Sequence, residues 1–471
     1  MNSIYCDFLE IFGKRQGRLG TQAGEENAVR AIAGWKLRRG VCGLLLAAAL
    51  PWGLSAAPQE AQAQQPEGQP AAMAMAPASA ATPLAALIEE ARKNSPNIQA
   101  AEEAVRGAAF VAPRVSALPD PTVMVQQFSV GSPRPFAGFT NSDFAYIGFG
   151  ASQELPFPGK RKLRAEVANG EVRVLEERTE AVRRGEIERM KELYYRLAYL
   201  QQARGIYEHH DTILKQVSEV TEARYRVGQG NQQDILKAQL QHTKNLYDLS
   251  MIQQAAGEAQ AELKRIVRRA QDSADIVAEP LALTPLPLAG EALMERVKEG
   301  SAEVRERTAM LRKSQAEVRM AQKEFRPDFG VSYTYQHTSG DFRDYYMATF
   351  EVKLPRRGPR QAALKEAKSN VERARIEEDA QMQEAAALLK KQLVVARTSE
   401  EQAQLYREGL IPQSQATFQT GMAAYEANRA DFETLLNSLL DVQHMELAYQ
   451  QTLVEHESAV ARIERLTGEI R

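Results

Sequence analysis

Carboxylates stand at two matching points of the sequence, and they are the first side chains whose spacing indicates chemistry. Asp234 follows a stretch that begins at Ala223, and Asp431 with Glu433 follows a second stretch that begins at Ala423. Carboxylates that lie close together would attract cations and repel anions. The alternative is that they are solvated groups at helix starts, where the helix dipole favours negative charge.

The other side chains that could support catalysis or metal binding show no working pattern. The two cysteines, Cys6 and Cys42, both precede residue 55, so no later disulfide framework or thiolate site can form. No nucleophile elbow or glycine-rich phosphate loop occurs, and we therefore expect no enzyme, no cofactor and no bound metal. The net charge of -2 gives no support to nucleic-acid binding. The histidines, which we interpret as surface or seam residues without ligand spacing, are His209, His210, His242, His337, His444 and His456.

The two stretches that carry the carboxylates have the pattern of turns between long helices. Each combines helix formers with a residue that tolerates positive φ, namely Gly228 in the first and Asn428 in the second. We therefore predict two α-helical hairpins, with tips at 226–231 and 425–430. The other matched positions are Tyr225 with Tyr425, and Ile235-Leu236 with Leu435-Leu436.

Long helical arms are predicted on both sides of each tip. No proline occurs from Gly159 to Glu279, and this stretch is rich in Glu, Arg, Lys, Ala, Leu and Gln. The hairpins are placed at 159–270 and 358–468, and the arm before the first tip would be roughly 100 Å long. Spacings of three and four residues in the returning arm predict a coiled-coil seam. The predicted seam residues are Leu236, Leu240, Leu246, Leu249, Ile252, Ala256, Ala259, Leu263 and Ile266.

Two pairs of β-strands precede the hairpins, at about 121–130 and 144–153, and at about 329–337 and 345–354. In the third strand, aromatic and apolar residues from Phe329 onward alternate strictly with small or polar ones. A length of about 10 residues suits a tilted strand that crosses a membrane. Tyrosines in these strands fit interfacial aromatic belts or ordinary strand packing. They are Tyr146, Tyr333, Tyr335, Tyr345 and Tyr346.

The order of these elements defines a two-fold internal repeat of helix, helix, strand, strand, long helix and long helix. The first repeat is 83–279, the crossover linker is 280–290, and the second repeat is 291–468. Residues 1–63 contain basic residues, an apolar run and an A-x-A site, which predict a signal segment. Residues 64–82 are rich in Ala, Gln and Pro and predict a flexible linker. The fold class is therefore mostly α with a small β part.

Four strands per chain indicate an oligomer. Closed membrane barrels have about eight strands or more, and an open sheet in lipid would leave backbone groups unpaired at its edges. Three copies would supply about 12 strands for an outer-membrane barrel and about 12 long helices for a tunnel. A sheet with one face in water and one on a soluble core predicts the same alternation, so this alternative stays open.

These features together resemble the outer-membrane efflux protein family, the TolC-like exit ducts of Gram-negative bacteria. The resemblance covers about residues 82–468 and rests on the repeat, on Tyr225-x-x-Gly228 with the following Ile-Leu pair, and on the second tip. Two further motifs resemble the heavy-metal efflux (CzcC-like) branch. They are Gln-Glu-Leu-Pro-Phe-Pro-Gly-Lys at 153–160 and Leu-Ile-Pro-Gln at 410–413.

The resemblance implies a passive homotrimeric channel in the cell outer membrane with a periplasmic α-helical tunnel. Its partners would be outer-membrane lipid, a periplasmic adaptor (membrane fusion) protein and an inner-membrane RND-type pump, and its substrates heavy-metal cations. A duct for drugs or for type I secretion is the alternative within the family. A periplasmic adaptor also has long hairpins, but it should carry one hairpin flanked by β-rich domains rather than two hairpins and four strands.

The resemblance also assigns roles to the tips and to one proline. Adaptor hairpins would dock on the tips, although a tight turn alone explains the same residues. The gate carboxylates would be Asp234, Asp431 and Glu433, yet the family's usual aspartates align here with Thr434 and Asn437, so a strict aspartate ring is not kept. Pro412 should kink its arm, as a hinge or as a static bend. The docking residues would be Tyr225, Val227, Gly228, Gly230, Tyr425, Ala427, Asn428 and Arg429.

Overall fold

The computed structural model describes residues 81–129, 145–285, 290–338 and 343–468. The predicted signal segment and nearly all of the predicted linker lie outside these ranges. The first half contains α1 (Leu84–Asn94), α2 (Pro96–Ala109), α3 (Val111–Ser116), β1 (Thr122–Ser129), β2 (Ala145–Leu155), α4 (Lys160–Arg226) and α5 (Gln232–Val267). The second half contains α6 (Gly290–Gly300), α7 (Ala302–Lys323), β3 (Asp328–Thr338), β4 (Tyr345–Lys353), α8 (Arg357–Leu405), a π-helical turn (Tyr406–Leu410), α9 (Ile411–Glu426) and α10 (Phe432–Thr467).

The four strands form one antiparallel sheet in the order β1-β2-β3-β4, so β1 and β4 are its two edges. Successive residues of a strand point to opposite faces. The row Val125, Phe149, Tyr335 and Tyr346 therefore lies on one face, and the next row, Met124, Gly150, Thr334 and Met347, lies on the other. The prediction of a mostly helical protein with a small β part is confirmed.

The long helices form a wall in the order α5, α4, α10, and then α8 with α9. α7 packs against both α4 and α8, and α2 and α3 pack against α4. Two apolar cores lie away from the tips. One joins α1, α4 and α5, and the other joins α6, α8 and α10. A smaller cluster at the tips contains Val217, Ala238, Tyr425, Phe432 and Leu435.

A buried lysine fixes the junction between the sheet and the helical wall. Gly159 has φ of 93° and leads the chain from the prolines after β2 into α4. Lys160 is 1% exposed, and its Nζ lies 2.9 Å from Asp328 Oδ2 and 3.2 Å from Glu324 Oε2. The other oxygen of Asp328 accepts a 2.8 Å hydrogen bond from the Phe157 N–H. The first hairpin is thus tied to the start of β3 in the second repeat.

The predicted seam of α5 is wrong in the half nearest the tip. Leu263 and Ile266 are buried as predicted, but Leu236, Leu240 and Leu246 are exposed, Leu240 by 57%. Ala238 and Asn245 are buried on the α4 side instead. The spacing of apolar residues identifies one face of a helix, but it does not say whether that face meets a helix of the same chain. Here the stripe points away from α4.

The strand bounds differ slightly from the predicted ones. β2 continues beyond 153 because Glu154 and Leu155 pair with Gly330 and Phe329. No helix among the described residues is long and apolar enough to serve as a membrane span.

Candidate functional site at the hairpin tips

The two tips have the same backbone turn. Gly228 has φ of 74° and Asn428 has φ of 57°, so both adopt the left-handed conformation for which these residue types are suited. In each turn the N–H of this residue donates a 3.0 Å hydrogen bond to the carbonyl of the matched tyrosine, Tyr225 or Tyr425. A Cβ at Gly230 would lie 3.0 Å from the Tyr225 nitrogen, so glycine avoids a tight contact in the first tip, whereas the second tip has Ala430 at the matched position.

The matched tyrosines occupy different environments. Tyr425 is 2% exposed, packs against Phe432 and donates a 3.2 Å hydrogen bond to Thr221 Oγ1. Tyr225 and Val227 are exposed, Val227 by 69%. In the second tip Ala427, Asn428 and Arg429 are exposed. Most of the predicted docking residues thus form an outer surface at both tips, but Tyr425 is buried and Gly230 is half-buried.

Two of the three predicted gate carboxylates are engaged within the chain. Asp431 is the N-cap of α10, and its Oδ1 accepts a 3.0 Å hydrogen bond from Thr434 N–H. Hydrogen bonds from Thr434 hold the pKa of Asp431 below its usual value. Glu433 lies 2.7 Å from Lys237 Nζ, and this hydrogen bond raises the pKa of Lys237. Asp234 lies in the first turn of α5. The arrangement favours the helix-start interpretation for Asp431 and a link between hairpins for Glu433.

Arg224 joins the tips, and sequence reasoning did not single it out. Its guanidinium donates to Tyr425 O and to Asn428 Oδ1 in the second tip, and at 3.3 Å to Gln229 O in the first. Its Cζ lies 4.2 Å from the centroid of the Tyr425 ring, in cation–π geometry. The sequence did carry a signal, because Arg224 aligns with Ala424 between two identical pairs, Ala223 with Ala423 and Tyr225 with Tyr425.

The helix before Pro412 is not a regular α-helix. Residues 406–410 form a π-helical turn in which the Ile411 N–H donates to Tyr406 O, five residues back. Pro412 is the second residue of α9 and has no N–H to donate. π-turns are frequent at functional positions in helices. The predicted disturbance of this arm is therefore a change of hydrogen-bond register.

A polar belt crosses all four long helices just beyond this turn. Gln415 of α9 donates a 3.1 Å hydrogen bond to Glu446 of α10, and Glu446 lies 2.9 Å from Nε2 of buried His210 in α4. Asp211 accepts a hydrogen bond of 2.5 Å from His242 of α5. The belt connects α9 to the first hairpin.

The belt carboxylates are held in their ionised form. Burial opposes ionisation, but the hydrogen bond and charge of His210 hold the pKa of Glu446 below its usual value. Burial likewise opposes the ionisation of Asp211, but hydrogen bonds from Lys215 and His242 hold its pKa low. His210 and His456 are buried and His444 is exposed. Within the described part of the chain, no group of three or more His, Cys, Asp or Glu side chains is arranged to hold a metal ion.

Long hairpins joined to a small sheet define a class of solved outer-membrane channels. The channel OprN superposes with a TM-score of 0.70 at 18% identity, over 82% of this chain and 90% of that one. CusC gives a TM-score of 0.68 at 16% identity, over 82% and 91%. The CmeC outer membrane channel of Campylobacter jejuni gives 0.70 at 12% identity, over 82% and 85%. At these identities the likeness shows the fold.

A family model matches part of the first repeat. Residues 87–267 match the family model described as Outer membrane efflux protein. The resemblance to the TolC-like outer-membrane efflux family is thus confirmed, whereas its CzcC-like branch is not singled out. A sequence comparison with curated proteins found no significant match.

Proposed function

We propose that this chain is the outer-membrane exit duct of a tripartite efflux system, a passive homotrimeric channel with a periplasmic tunnel. One observation carries the proposal. Both the sheet and the helical wall end in two unlike edges that come from opposite repeats. Contact between unlike edges of successive copies generates a ring when the rotation closes.

The edges have the surfaces that such contacts require. On one side α5 exposes Leu236, Leu240, Leu246, Tyr247 and Met251. On the other side α8 and the π-turn expose Ile376, Val394, Leu405 and Leu410. Apolar stripes on both edges favour burial against another copy.

The sheet supports a position in lipid. Its apolar face exposes Val123, Val125, Phe149, Tyr333, Tyr346, Phe350 and Val352. Joining β4 of one copy to β1 of the next would pair both edges and give about 12 strands from three four-stranded sheets. A periplasmic adaptor, the candidate from a different class, is disfavoured by two hairpins joined through one sheet.

The gate is proposed at the tips, with the second hairpin as its moving half. Arg224 and the pair Lys237–Glu433 fasten that hairpin to the first one. The π-turn before Pro412 lies at the base of its tip arm and would absorb the movement, in the role of the predicted hinge. The exposed tip residues would dock the periplasmic adaptor, which in turn contacts an inner-membrane RND-type pump.

Heavy-metal cations are the proposed substrates, on the resemblance of residues 153–160 and 410–413 to the metal-efflux branch. A conduit needs weak contacts at several places rather than a tight site. Deletion of the gene should raise sensitivity to divalent metals. Unchanged metal tolerance together with altered drug tolerance would instead assign the duct to drugs.

The channel itself is tested by reconstitution. Purified protein inserted in a planar lipid bilayer should be a trimer by native mass spectrometry and should conduct ions. A water-soluble monomer without conductance would refute the duct. Cysteine cross-links placed across 427–431 in the assembled trimer should block transport, whereas full activity after complete cross-linking would refute the moving second hairpin.

A further inference from the structure

The imidazole of His456 is enclosed where α10, α8 and the crossover linker meet. The residue is 0% exposed. Its Nδ1 lies 3.0 Å from the backbone oxygen of Ala396 in α8, and its Nε2 lies 2.9 Å from that of Thr284 in the crossover. Carbonyl oxygens only accept hydrogen bonds. Each contact is therefore a hydrogen bond only when the ring nitrogen carries a proton.

The protonated ring alone satisfies both contacts. A neutral imidazole has one N–H in either tautomer, so one nitrogen lone pair would face a carbonyl oxygen at about 3 Å. An imidazolium donates from both nitrogens. The two distances thus fit a positively charged ring, and either neutral tautomer would lose one of the two hydrogen bonds.

A neighbouring carboxylate compensates this charge. Glu457 is almost fully buried, and its Oε1 lies 4.0 Å from His456 Nε2. The same carboxylate accepts a 2.7 Å hydrogen bond from the Thr284 N–H and one of 2.9 Å from its hydroxyl. A buried charge is tolerated when it is paired and hydrogen-bonded. His456 and Glu457 therefore contact all the polar groups of Thr284: His456 its backbone carbonyl, and Glu457 its N–H and hydroxyl.

The other polar groups around the pair are neutral or already engaged. From α4, Lys191 is engaged by Glu464, and burial together with the charge of Glu457 raises the pKa of Tyr195, so its phenol stays neutral. From α8, Ser399 donates its hydroxyl to Ala396 O at 3.1 Å. Imidazole is the side chain that ordinarily changes charge between about pH 5 and 8.

We propose that His456 and Glu457 form a proton-dependent clasp that fastens the crossover to the second repeat and loosens as the pH rises. When the ring is protonated, both nitrogens donate and the charge pair with Glu457 is complete. When the ring is neutral, one hydrogen bond is lost and Glu457 loses its counter-ion, so Thr284 is held less firmly. The clasp lies away from the tips and is independent of whether the chain conducts ions.

Amide hydrogen exchange of the peptide that contains residues 279–285 tests the clasp in the full-length protein in detergent. Rates measured from pH 6 to 9 are divided by the intrinsic rate at each pH. The protection of this peptide should fall by about tenfold across that range, the effect of one ordinary buried hydrogen bond. Constant protection in the wild-type protein would overturn the proposal without any variant.

Two variants separate the clasp from general packing. In His456→Gln the amide cannot gain a proton, so protection should be low at pH 6 and independent of pH. The control His444→Gln changes an exposed histidine of the same helix and should keep the wild-type profile. A wild-type pH profile in His456→Gln would also overturn the proposal. Because the readout needs no conductance, a failed channel assay would leave this result unaffected.

Discussion

At the scale of single residues, Arg224 makes contacts that join the two tips. Arginine suits this place because its planar group donates to several oxygens at once and also stacks on an aromatic ring. Its acceptors belong to both hairpins, namely Gln229 in the first and Tyr425 and Asn428 in the second. The full set of Arg224 hydrogen bonds can therefore form only when the two tips lie together.

Arg224→Ala should raise the open fraction of the reconstituted channel. The substitution removes the hydrogen bonds and the ring contact that join the tips, and we expect a change of about 10-fold or more because hydrogen bonds from charged groups are involved. Single-channel recording measures it. The control is Arg226→Ala, two residues after Arg224. It removes only an exposed ion pair with Glu222 and should leave gating unchanged. Equal open fractions in the two variants would contradict this role of Arg224.

Lys160→Met should lower stability without changing the fold. The substitution removes the buried cation between Glu324 and Asp328, and leaves Arg164, 3.6 Å from Glu324, as a half-exposed partner. Loss of one partner from a buried ion pair costs roughly 3–5 kcal/mol, and partial exposure of both carboxylates reduces this to about 2 kcal/mol. Guanidinium denaturation in detergent measures the free energy of unfolding. Lys162→Met, at an exposed position of the same helix, should be nearly neutral.

At the scale of elements, the π-turn and the polar belt act on the same helical arm. The turn gives the arm an irregular hydrogen-bond register, and Gln415, five residues after its last member, fastens the arm to Glu446. A weak point followed at once by a tie would confine bending to residues 406–412. The rest of this arm, up to the second tip, is continuous α-helix.

Pro412→Ala should stiffen the arm. Alanine restores a backbone N–H and permits a regular α-helix through residues 406–412, which the proline ring disfavours. Hydrogen exchange of a peptide that spans 402–414 should become slower, and channel opening should become rarer. Gln413→Ala, at the next exposed position, serves as the control. Faster exchange in Pro412→Ala would show that the proline is not what destabilises this turn.

Acid should weaken the belt. The pKa values of Glu446 and Asp211 in the folded chain lie below their values of 4.5 and 3.8 in the unfolded chain. Their stabilisation is therefore complete above the unfolded values and is lost as the pH falls through the folded ones. The double variant Glu446→Gln with Asp211→Asn should show a shallower loss of thermal stability between pH 5 and 3. Identical slopes in the double variant and the wild type would contradict this assignment.

The sequence predicts the elements better than it predicts their partners. Strand and hairpin bounds agree to within about three residues, since alternation, prolines and the Gly228 and Asn428 turns are local signals. The outward direction of Leu240 and the reach of Arg224 depend on which helices meet, and one sequence does not contain that information. Pro412 can be read directly from the sequence. The π-helical hydrogen bonding of residues 406–410 depends on the whole arm and cannot be read in this way.

At the scale of the whole molecule, the exposed stripe on α5 is the feature that indicates assembly. Leu246→Glu should reduce the trimer population, because it would bury a charge in the contact between copies. Native mass spectrometry measures the population, and circular dichroism should show unchanged helix content because the side chain is exposed within the chain. Leu246→Met keeps an apolar side chain of similar volume at the same position and should assemble normally. A full trimer population in Leu246→Glu would place the contact between copies elsewhere.

The unlike edges of one protomer also have a genetic consequence. A copy that is damaged on one edge still offers an intact second edge, so it can join a growing ring and prevent its closure. In the proposed trimer, with equal amounts of intact and damaged chains, about one ring in eight would contain intact subunits alone. Edge mutations would therefore be dominant in a cell that also carries the normal gene, whereas mutations that unfold the chain would be recessive.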